Sequence, residues 1–544
     1  MDLKDNWAEK RIGILLFVLS LILFFLALII NYGNIVIRYD SLFTLIFSKD
    51  SFFNIVKVTA LDVHPPLHYF IVKVFINLGH FLHLSFTDIY LGKISSAIPI
   101  LLLMGFSWKY LRHDIGELGA GLFSFSIITM PQLIWLLTDV RMYSWGMLFV
   151  TLAFYCAYRI TIQESWKNYI LLTFFTIVGA YTQYFCSVSI FGVYLSLFVY
   201  LYLNGNIKKI RRLMVSGFVS VLAFIPWILI LIEQIRNVVN SYWIPPFDGL
   251  VFYKTVIYFL SASKLVEGVE DLIGYDSCSL DTLFLSILLI SILGICVYRL
   301  LNDLSFESLK MRFVKVNFLI FGALILLLEI ILGVLIGDMI GKPILYTRYL
   351  FLSIGVFWLS VCIIISKVYY FNSKFIFVFL LTLFLVGGGA SSYNGLKLSV
   401  GDYNFSQDMV ITLNLIDPDD LVVDDIFASW GWREVISHHP YENTFIMEDP
   451  DNSDSFNQIY RSALYSQLNI HIFGGSISKR INDTLLSGHK VWIDSLTADA
   501  FYEINDTLPS KYLDNYHIKF YNISKPKTYP IMWRSIIEIT QTPQ

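Results

Sequence analysis

The sequence predicts a polytopic α-helical membrane protein with about eleven transmembrane helices, followed by a C-terminal extracytoplasmic α/β domain. Of its 544 residues, 56% are hydrophobic and only 15% are charged, whereas a soluble domain carries about 25% charged residues. Apolar runs of bilayer-crossing length recur along the chain up to residue 392, and polar residues become frequent after it. A soluble fold of this length could not bury so much apolar surface.

The predicted spans are the apolar runs of roughly 20 residues, the length that crosses a bilayer. The first run, Ile12–Ile30, lacks a small-residue cleavage site, which predicts a retained span rather than a signal peptide. Spans are expected near residues 12–31, 88–110, 117–135, 142–160, 168–182, 185–203, 213–232, 281–299, 317–336, 349–366 and 375–392.

Basic residues predict the orientation of these spans. They cluster in alternate connections, most densely at Lys208–Arg212 after the sixth span. With eleven spans these groups all fall on one side, which the positive-inside rule assigns to the cytoplasm. We therefore expect a multi-pass plasma-membrane protein with a cytoplasmic N-terminus, a transmembrane module at residues 1–394, and an extracytoplasmic soluble domain at residues 395–544.

Two parts of the predicted outer side have a pattern of their own. In the long first loop, residues 32–87, the apolar segment Leu67–Phe81 is too short to span and carries polar residues at intervals, which favours an interfacial helix; residues 41–60 resemble a second one. In the C-terminal domain, strand-like runs at Asp420–Val423, Thr444–Met447 and Lys490–Ile493 alternate with helix-like stretches at Trp430–His438 and Ser455–Gln467.

Two acidic positions of the first outer loop are candidates for chemistry. Asp40 follows the first span by about nine residues, where a carboxylate can act as a general base; the alternative is an N-cap for a helix at 41–48. Asp62 and His64 flank one residue, so an extended segment points them the same way. They suit a metal or a phosphate-bearing ligand, and the alternative is a helix initiated by Pro65 and Pro66.

Charged residues at the ends of later spans form the second group of candidates. Asp139 and Arg141 lie between the third and fourth spans, where a turn can bring an i, i+2 pair together; an ordinary loop pair is the alternative. Tyr346 and Arg348 open the tenth span. An arginine there suits a lipid phosphate because it binds oxygens in a bidentate way, and snorkelling within an aromatic belt is the alternative.

Motif searches exclude several classes of function. The sequence has no P-loop, dinucleotide fingerprint, GxSxG motif or zinc-type Cys/His spacing, and nothing in it indicates nucleic-acid binding.

Taken together, the ordered motifs resemble those of the bacterial GT-C glycosyltransferases of the family 39-like type, relatives of protein O-mannosyltransferases and aminoarabinose transferases. The resemblance covers about residues 10–390 and departs from the family at Ser41, where Glu is common, at Lys93, where Arg is commoner, and at Gln183, where His is found. The matching stretches are Asp40, Asp62–Tyr69, Lys93 with Ser96-Ala97, Arg141–Tyr143, Tyr181–Tyr184 and Arg348–Leu350.

This resemblance implies an inverting sugar transfer from a polyprenyl-phosphate donor to an extracytoplasmic acceptor, which is a cell-envelope glycan, a lipid or a protein. It implies that Asp40 is the catalytic base and that Asp62 is a second catalytic carboxylate. The resemblance also implies a divalent metal ion in some members, for which Asp62 and His64 are the candidates here. The substrate-binding candidates are His64, Lys93, Asp139, Arg141, Tyr346 and Arg348.

Two other classes of function stay open from the sequence. A secondary transporter predicts charged residues in mid-span and broken helices in related halves, and Glu329 is the clearest acid of this kind. A non-catalytic scaffold that presents an outer domain does not require polar motifs to gather at one face of the membrane.

Overall fold

The computed structural model divides the chain into two compact units. The first consists of residues 1–28, 51–82 and 92–396, and the second of residues 29–50, 83–91 and 397–544. The structure describes residues 7–34, 39–241, 244–262, 279–301, 318–368, 374–417, 419–425, 444–447, 471–472, 477–495, 516–522 and 535–541.

Helices make up most of the described chain. A π-helical turn at Ser107–Leu111 joins α5 to α6, and 3₁₀ turns at Phe318–Phe321 and Thr347–Leu350 precede α14 and α15. The helices are α1 (Trp7–Ile30), α2 (Tyr39–Ser48), α3 (Phe52–Leu61), α4 (Leu67–Phe81), α5 (Asp88–Phe106), α6 (Arg112–Thr129), α7 (Leu133–Leu136), α8 (Tyr143–Ile162), α9 (Trp166–Thr182), α10 (Tyr184–Leu203), α11 (Ile207–Ser241), α12 (Gly249–Tyr258), α13 (Leu280–Leu301), α14 (Gly322–Ile340), α15 (Phe351–Val368), α16 (Lys374–Leu413) and α17 (Ile477–Leu486).

Each of the eleven predicted spans overlaps a helix. Within the described residues, eight helices are long and apolar enough to cross a membrane. One of them, Asp88–Thr129, holds the second predicted span and residues 117–129 of the third, and non-helical backbone at Gly116 (φ 79°, ψ 166°) separates the two. The predicted end of the third span is wrong, because α6 ends at Thr129 and Gln132 has a left-handed backbone (φ 67°). The remaining two predicted spans correspond to α9, which has 17 residues, and to α13, whose apolar segment Leu280–Cys296 is also shorter. The chain is a multi-pass helical membrane protein.

Burial separates the central helices of the first unit from the peripheral ones. In the apolar window of Thr347–Lys367, which includes α15, 89% of residues are buried, compared with 28% in α1 and 17% in Ile207–Arg236 of α11. A helix that is apolar all round and mostly exposed is stable in lipid but not in water. Helices α1 and α11 are therefore lipid-facing, and α15 is the core of the bundle.

Backbone contact brings α1 close to α6. A Cβ atom added at Gly13 would lie 2.2 Å from the carbonyl oxygen of Glu117, and one added at Gly121 would lie 2.3 Å from the carbonyl oxygen of Gly13. Small residues at such crossings let transmembrane helices approach to van der Waals distance.

The predicted interfacial helices differ in outcome. Helix α4 has the predicted bounds, Leu67–Phe81. The single helix expected at residues 41–60 is instead two helices, α2 and α3. The physical reason is Ser51, which is extended and accepts a hydrogen bond from the backbone amide of Asn54, so it starts a new helix as its N-cap.

The second unit contains a six-stranded mixed sheet, which confirms the α/β character expected of the C-terminal part. The strand order is β3-β2-β1-β4-β6-β5; β1 pairs in parallel with β2 and β4, while β6 is antiparallel to β4 and β5. The predicted helices Trp430–His438 and Ser455–Gln467 lie outside the described residues. The strands are β1 (Leu421–Asp425), β2 (Thr444–Met447), β3 (His471–Ile472), β4 (Val491–Ser495), β5 (Tyr516–Asn522) and β6 (Ser535–Gln541).

Segments of the first outer loop also belong to this second unit. The Asn34 side-chain oxygen accepts a hydrogen bond of 2.9 Å from the Ser406 hydroxyl, 372 residues away, and Lys49 forms an ion pair of 2.7 Å with Asp88. The Tyr32 ring packs edge-on against the Tyr90 ring at 5.0 Å between centroids. The unit therefore joins chain segments that are far apart in sequence.

Candidate active site

The Asp62 turn connects α3 and α4 in the first unit. Helix α3 ends at Leu61, and Asp62 has the extended backbone (φ −86°, ψ −171°) that the sequence predicts for this stretch. The Tyr69 hydroxyl, in the first turn of α4, donates a hydrogen bond of 3.4 Å to Oδ2 of Asp62. His64, two residues further on, is buried. The prolines that follow place α4 directly after this turn.

His68 links the Asp62 turn to the second group of candidates. Its side chain is fully buried, and neither ring nitrogen makes a hydrogen bond of normal geometry. Burial, followed by the positive charge of Arg141, lowers the pKa of His68 to about 3, while the Val140 carbonyl acts in the opposite direction. The imidazole is therefore neutral at physiological pH, and it lies within electrostatic reach of Arg141.

Asp139 and Arg141 form a tight turn before α8. The Arg141 amide donates a hydrogen bond of 2.7 Å to the carbonyl oxygen of Asp139, and both side chains are buried. Paired charges of an ordinary exposed loop are not expected to be buried in this way. Two residues later, Tyr143 packs against Tyr349 with 6.5 Å between ring centroids.

Arg348 lies in the 3₁₀ turn that precedes α15. Its guanidinium carbon is 5.1 Å from the centre of the Tyr346 ring, a cation–π distance. Only 8% of Arg348 is exposed, which differs from the exposed head group of a snorkelling arginine. Through Tyr349 and Tyr143, the Arg348 turn and the Arg141 turn are neighbours within the first unit.

Lys93 is the most deeply buried cation among the candidates, with 2% of its surface exposed. It lies in α5, and the carbonyl oxygen of Ser95 accepts a hydrogen bond of 3.0 Å from the Trp145 indole nitrogen. This bond joins α5 to α8, because Trp145 lies in the first turn of α8, two residues after Tyr143.

Asp40 belongs to the second unit, whereas the other candidates belong to the first. It occupies the first turn of α2, and its carbonyl oxygen accepts a hydrogen bond of 3.0 Å from the Thr44 hydroxyl. The helix begins at Tyr39, so Asp40 is a helical residue rather than the N-cap of a helix at 41–48.

Several polar residues near the Asp62 turn were not predicted from the sequence. The buried amide of Gln234, in α11, contacts the end of α3, and the Tyr184 hydroxyl contacts Gln234 in turn. Glu329, the clearest mid-span acid of the sequence, is buried in the bundle and accepts a hydrogen bond from Ser353, which links α14 to α15. Neutral polar residues in apolar helices give no signal of their own, because their partners lie 43 or more residues away.

The described residues do not assemble a metal centre. No group of three or more His, Cys, Asp or Glu side chains comes together among them. Asp62 and His64 supply two potential ligands, fewer than the three that protein metal sites usually provide.

Comparison with solved structures shows which fold this is. Neither a scan against models of protein families nor a search of curated proteins finds a match to the sequence. Two crystal structures of ArnT from Cupriavidus metallidurans are similar: the apo state with a TM-score of 0.55 and the state bound to undecaprenyl phosphate with a TM-score of 0.53. Each has 10% sequence identity, and the alignment covers 98% of this chain and 99% of that chain.

The chain thus shares the fold of ArnT over almost the whole length of both chains. This confirms, at the level of the fold, the predicted resemblance to the aminoarabinose transferases. The structure of the Archaeoglobus fulgidus oligosaccharyltransferase complex with Zn and sulfate is also similar, with a TM-score of 0.41, 12% identity, and coverage of 93% of this chain and 72% of that chain.

Proposed function

We propose that this protein is a membrane glycosyltransferase that transfers a sugar from a polyprenyl-phosphate donor to an extracytoplasmic acceptor. The observation that carries the proposal is the burial of Arg141 and Arg348 on neighbouring turns at the starts of α8 and α15. The guanidinium group stays charged and matches phosphate oxygens in pairs, so two of them at one end of a bundle suit a lipid phosphate. The ArnT fold, seen with undecaprenyl phosphate in that protein, supports this donor class.

In the proposed reaction, the Asp40 carboxylate accepts the proton of the acceptor hydroxyl. The acceptor oxygen then forms a bond to the anomeric carbon of the donor sugar while the bond from that carbon to the phosphate oxygen breaks, which inverts the configuration. The polyprenyl phosphate leaves with the bonding electrons, and Arg141 and Arg348 stabilise its negative charge. Asp62 is the second carboxylate, and His64, Lys93, Asp139 and Tyr346 contribute to substrate binding.

The test compares purified, correctly folded Asp40→Asn and Asp62→Asn variants with the wild type in sugar transfer from polyprenyl-phosphate donors. Asn keeps the size and the hydrogen-bonding ability of Asp40 but cannot accept the proton, so turnover should fall about a hundredfold to ten-thousandfold. Asp62→Asn should also lower turnover. Asp50→Asn, which changes an acid just after α2, is the matched control and should retain activity.

Three results would count against the proposal in different ways. Near-normal turnover in Asp40→Asn would move the base to Asp62 or Asp139. Uptake of a labelled substrate without sugar transfer would favour a secondary transporter. If the wild type neither transfers sugar nor transports substrate, a scaffold function is favoured.

A further inference from the structure

The end of α3 is held by a helix that lies far away in the sequence. The side-chain nitrogen of Gln234, in α11, donates hydrogen bonds to the carbonyl oxygens of Thr59 (2.8 Å) and Ala60 (3.3 Å). These carbonyls belong to the last turn of α3, where the helix itself leaves backbone oxygens without amide partners. Gln234 is 3% exposed, so these bonds are shielded from water.

Two further side chains fix the orientation of the Gln234 amide. The Tyr184 hydroxyl donates a hydrogen bond of 2.5 Å to Oε1 of Gln234 and accepts one of 2.7 Å from the Trp227 indole nitrogen. Because the tyrosine donates to Oε1, the amide nitrogen is the atom that faces α3. The result is a directed chain of hydrogen bonds from Trp227 through Tyr184 and Gln234 to the α3 carbonyls. We call these three side chains the α3 latch.

The residue that follows the latched turn is Asp62. Its backbone amide bonds to the carbonyl oxygen of Val58 (3.1 Å), so the backbone of Asp62 is continuous with the turn that Gln234 holds. The Asp62 carboxylate is near enough to the Tyr184 hydroxyl for the two to interact electrostatically. Helix C-termini carry a partial negative charge that disfavours a nearby carboxylate, and the two bonds from the Gln234 amide offset part of that charge.

We propose that Gln234 is a positioning residue, which fixes the Asp62 carboxylate for the sugar transfer by latching the end of α3 to α11. The inference rests on the proposed function, since it assigns Gln234 a role through Asp62. Gln234 does not itself contact the reacting atoms. Its neutral amide supplies two donors toward α3 and one acceptor toward Tyr184, and a side chain that lacks either part breaks the chain of bonds.

The kinetic test uses purified full-length Gln234→Leu, Gln234→Glu and Tyr184→Phe with a polyprenyl-phosphate sugar donor. A displacement of about 1 Å in a reacting group costs about a hundredfold, so kcat of Gln234→Leu should fall about tenfold to a hundredfold, with the donor KM changed less than about threefold. Gln234→Glu keeps the acceptor for Tyr184 but loses both donors, so it should resemble Gln234→Leu. Tyr184→Phe should show a smaller loss of kcat.

Tyr194→Phe is the matched control. The Tyr194 hydroxyl also bonds α10 to α11, at 2.7 Å from the Ser216 hydroxyl, and Ser216 precedes Gln234 by 18 residues, about five helical turns of α11. This variant loses a tyrosine hydrogen bond between the same two helices and should keep wild-type kcat. An equal loss in Tyr194→Phe and Tyr184→Phe would overturn the inference, because general loosening of the two helices would then explain both.

A double variant separates positioning from a general structural effect. If Gln234 acts through Asp62, the kcat of the double variant Gln234→Leu/Asp62→Asn should be less than about threefold below that of Asp62→Asn alone. The effects of residues that act as a unit are not additive. A further loss of tenfold or more in the Asp62→Asn background would overturn the inference.

A readout without catalysis tests the latch by itself. Amide hydrogen exchange at residues 59–64 should be at least about tenfold faster in Gln234→Leu than in the wild type and unchanged in Tyr194→Phe, because local opening raises exchange. Unchanged exchange in Gln234→Leu would overturn the inference whatever the activity. If the wild type transfers no sugar while exchange responds as expected, the proposed function fails and the latch stands.

Discussion

At the scale of single residues, Arg348 allows the sharpest test of the donor phosphate. A charge-assisted contact to phosphate is worth about 1.5–3 kcal/mol, so Arg348→Ala should weaken binding of polyprenyl phosphate about tenfold to a hundredfold. Arg348→Lys keeps the charge but loses the planar pair of donors, and its loss should be smaller.

Binding to purified variants in detergent, measured by titration with polyprenyl phosphate, decides between these outcomes. Lys342→Ala is the control for a general change in charge, because it removes a cation six residues earlier in the chain. Unchanged affinity in Arg348→Ala would mean that Arg348 only packs on Tyr346, and Arg141 would become the principal phosphate ligand.

His68 predicts a dependence of stability on pH. Its pKa is lowered to about 3 in the folded protein from 6.5, so the unfolded chain takes up a proton at a higher pH than the folded one. Stability is therefore fully present above pH 6.5 and falls as the pH drops toward 3. At pH 5.5 the loss through this residue is about 1.4 kcal/mol.

Thermal unfolding at pH 7.5 and 5.5 measures this effect. The wild type should lose more stability on acidification than His68→Gln, whose side chain does not titrate. His80→Gln, an exposed position at the other end of α4, should behave as the wild type. Equal acid sensitivity of the wild type and His68→Gln would show that other groups dominate.

Sequence patterns identify charged site residues more readily than neutral ones. Asp62, Arg141 and Arg348 stand out because charges next to apolar runs are rare and costly. Gln234 and Tyr184 do not, since amides and tyrosines are common at helix ends and their partners here are 50 to 175 residues away. The burial of His68 against the Arg141 turn is likewise a property of the tertiary structure.

At the scale of secondary-structure elements, the crossing of α1 and α6 depends on two glycines. The atoms that a Cβ at Gly13 would meet at 2.2–2.8 Å belong to the backbone of Glu117 and Leu118, which cannot rotate away. Overpacking usually costs about 1–3 kcal/mol, so Gly13→Ala should lower the melting temperature and the yield of folded protein.

Gly105→Ala is the matched control in α5, since a Cβ there meets nothing within 4 Å. Alanine is a better helix former than glycine by about 1 kcal/mol, so this variant should be as stable as the wild type or more stable. A Gly13→Ala protein with an unchanged melting temperature would show that α1 can move away from α6 at little cost.

Apolar run length predicts where helices exist better than where they end. All eleven predicted spans overlap helices, because the apolar length needed for a bilayer is a strong signal. The ends depend on local detail: the π-helical turn Ser107–Leu111 continues the helix of α5 as far as Gly116, whose backbone is non-helical, and α16 runs to Leu413 although its apolar run stops near residue 392. Neither feature has a hydropathy signature.

At the scale of the whole molecule, the orientation in the membrane remains a prediction that labelling can test. The basic cluster predicts that Lys208 is cytoplasmic and Ser487 is outside. Both positions suit cysteine substitution because both side chains are exposed. In intact cells, an impermeant maleimide should label Ser487→Cys and not Lys208→Cys.

Two native cysteines are replaced by serine before the labelling experiment, and three buried ones are kept. Cys156, Cys186 and Cys362 are buried and Cys296 is exposed, so Cys296→Ser removes the main background among the described cysteines, and Cys278→Ser completes the set. Labelling of Lys208→Cys alone would reverse the predicted topology and place the sheet of the second unit in the cytoplasm.

The make-up of the second unit has a consequence for biosynthesis. Asn34 emerges from the ribosome long before Ser406, its partner 372 residues later, and Lys49 and Asp88 also belong to this unit. During translation these early segments must wait, without their late partners, until the last quarter of the chain has been made. With the predicted topology they lie outside the membrane, where chaperones and proteases can act on them in that interval. A nonsense mutation after residue 396 should therefore cause rapid degradation of the whole chain and not leave a stable, truncated bundle.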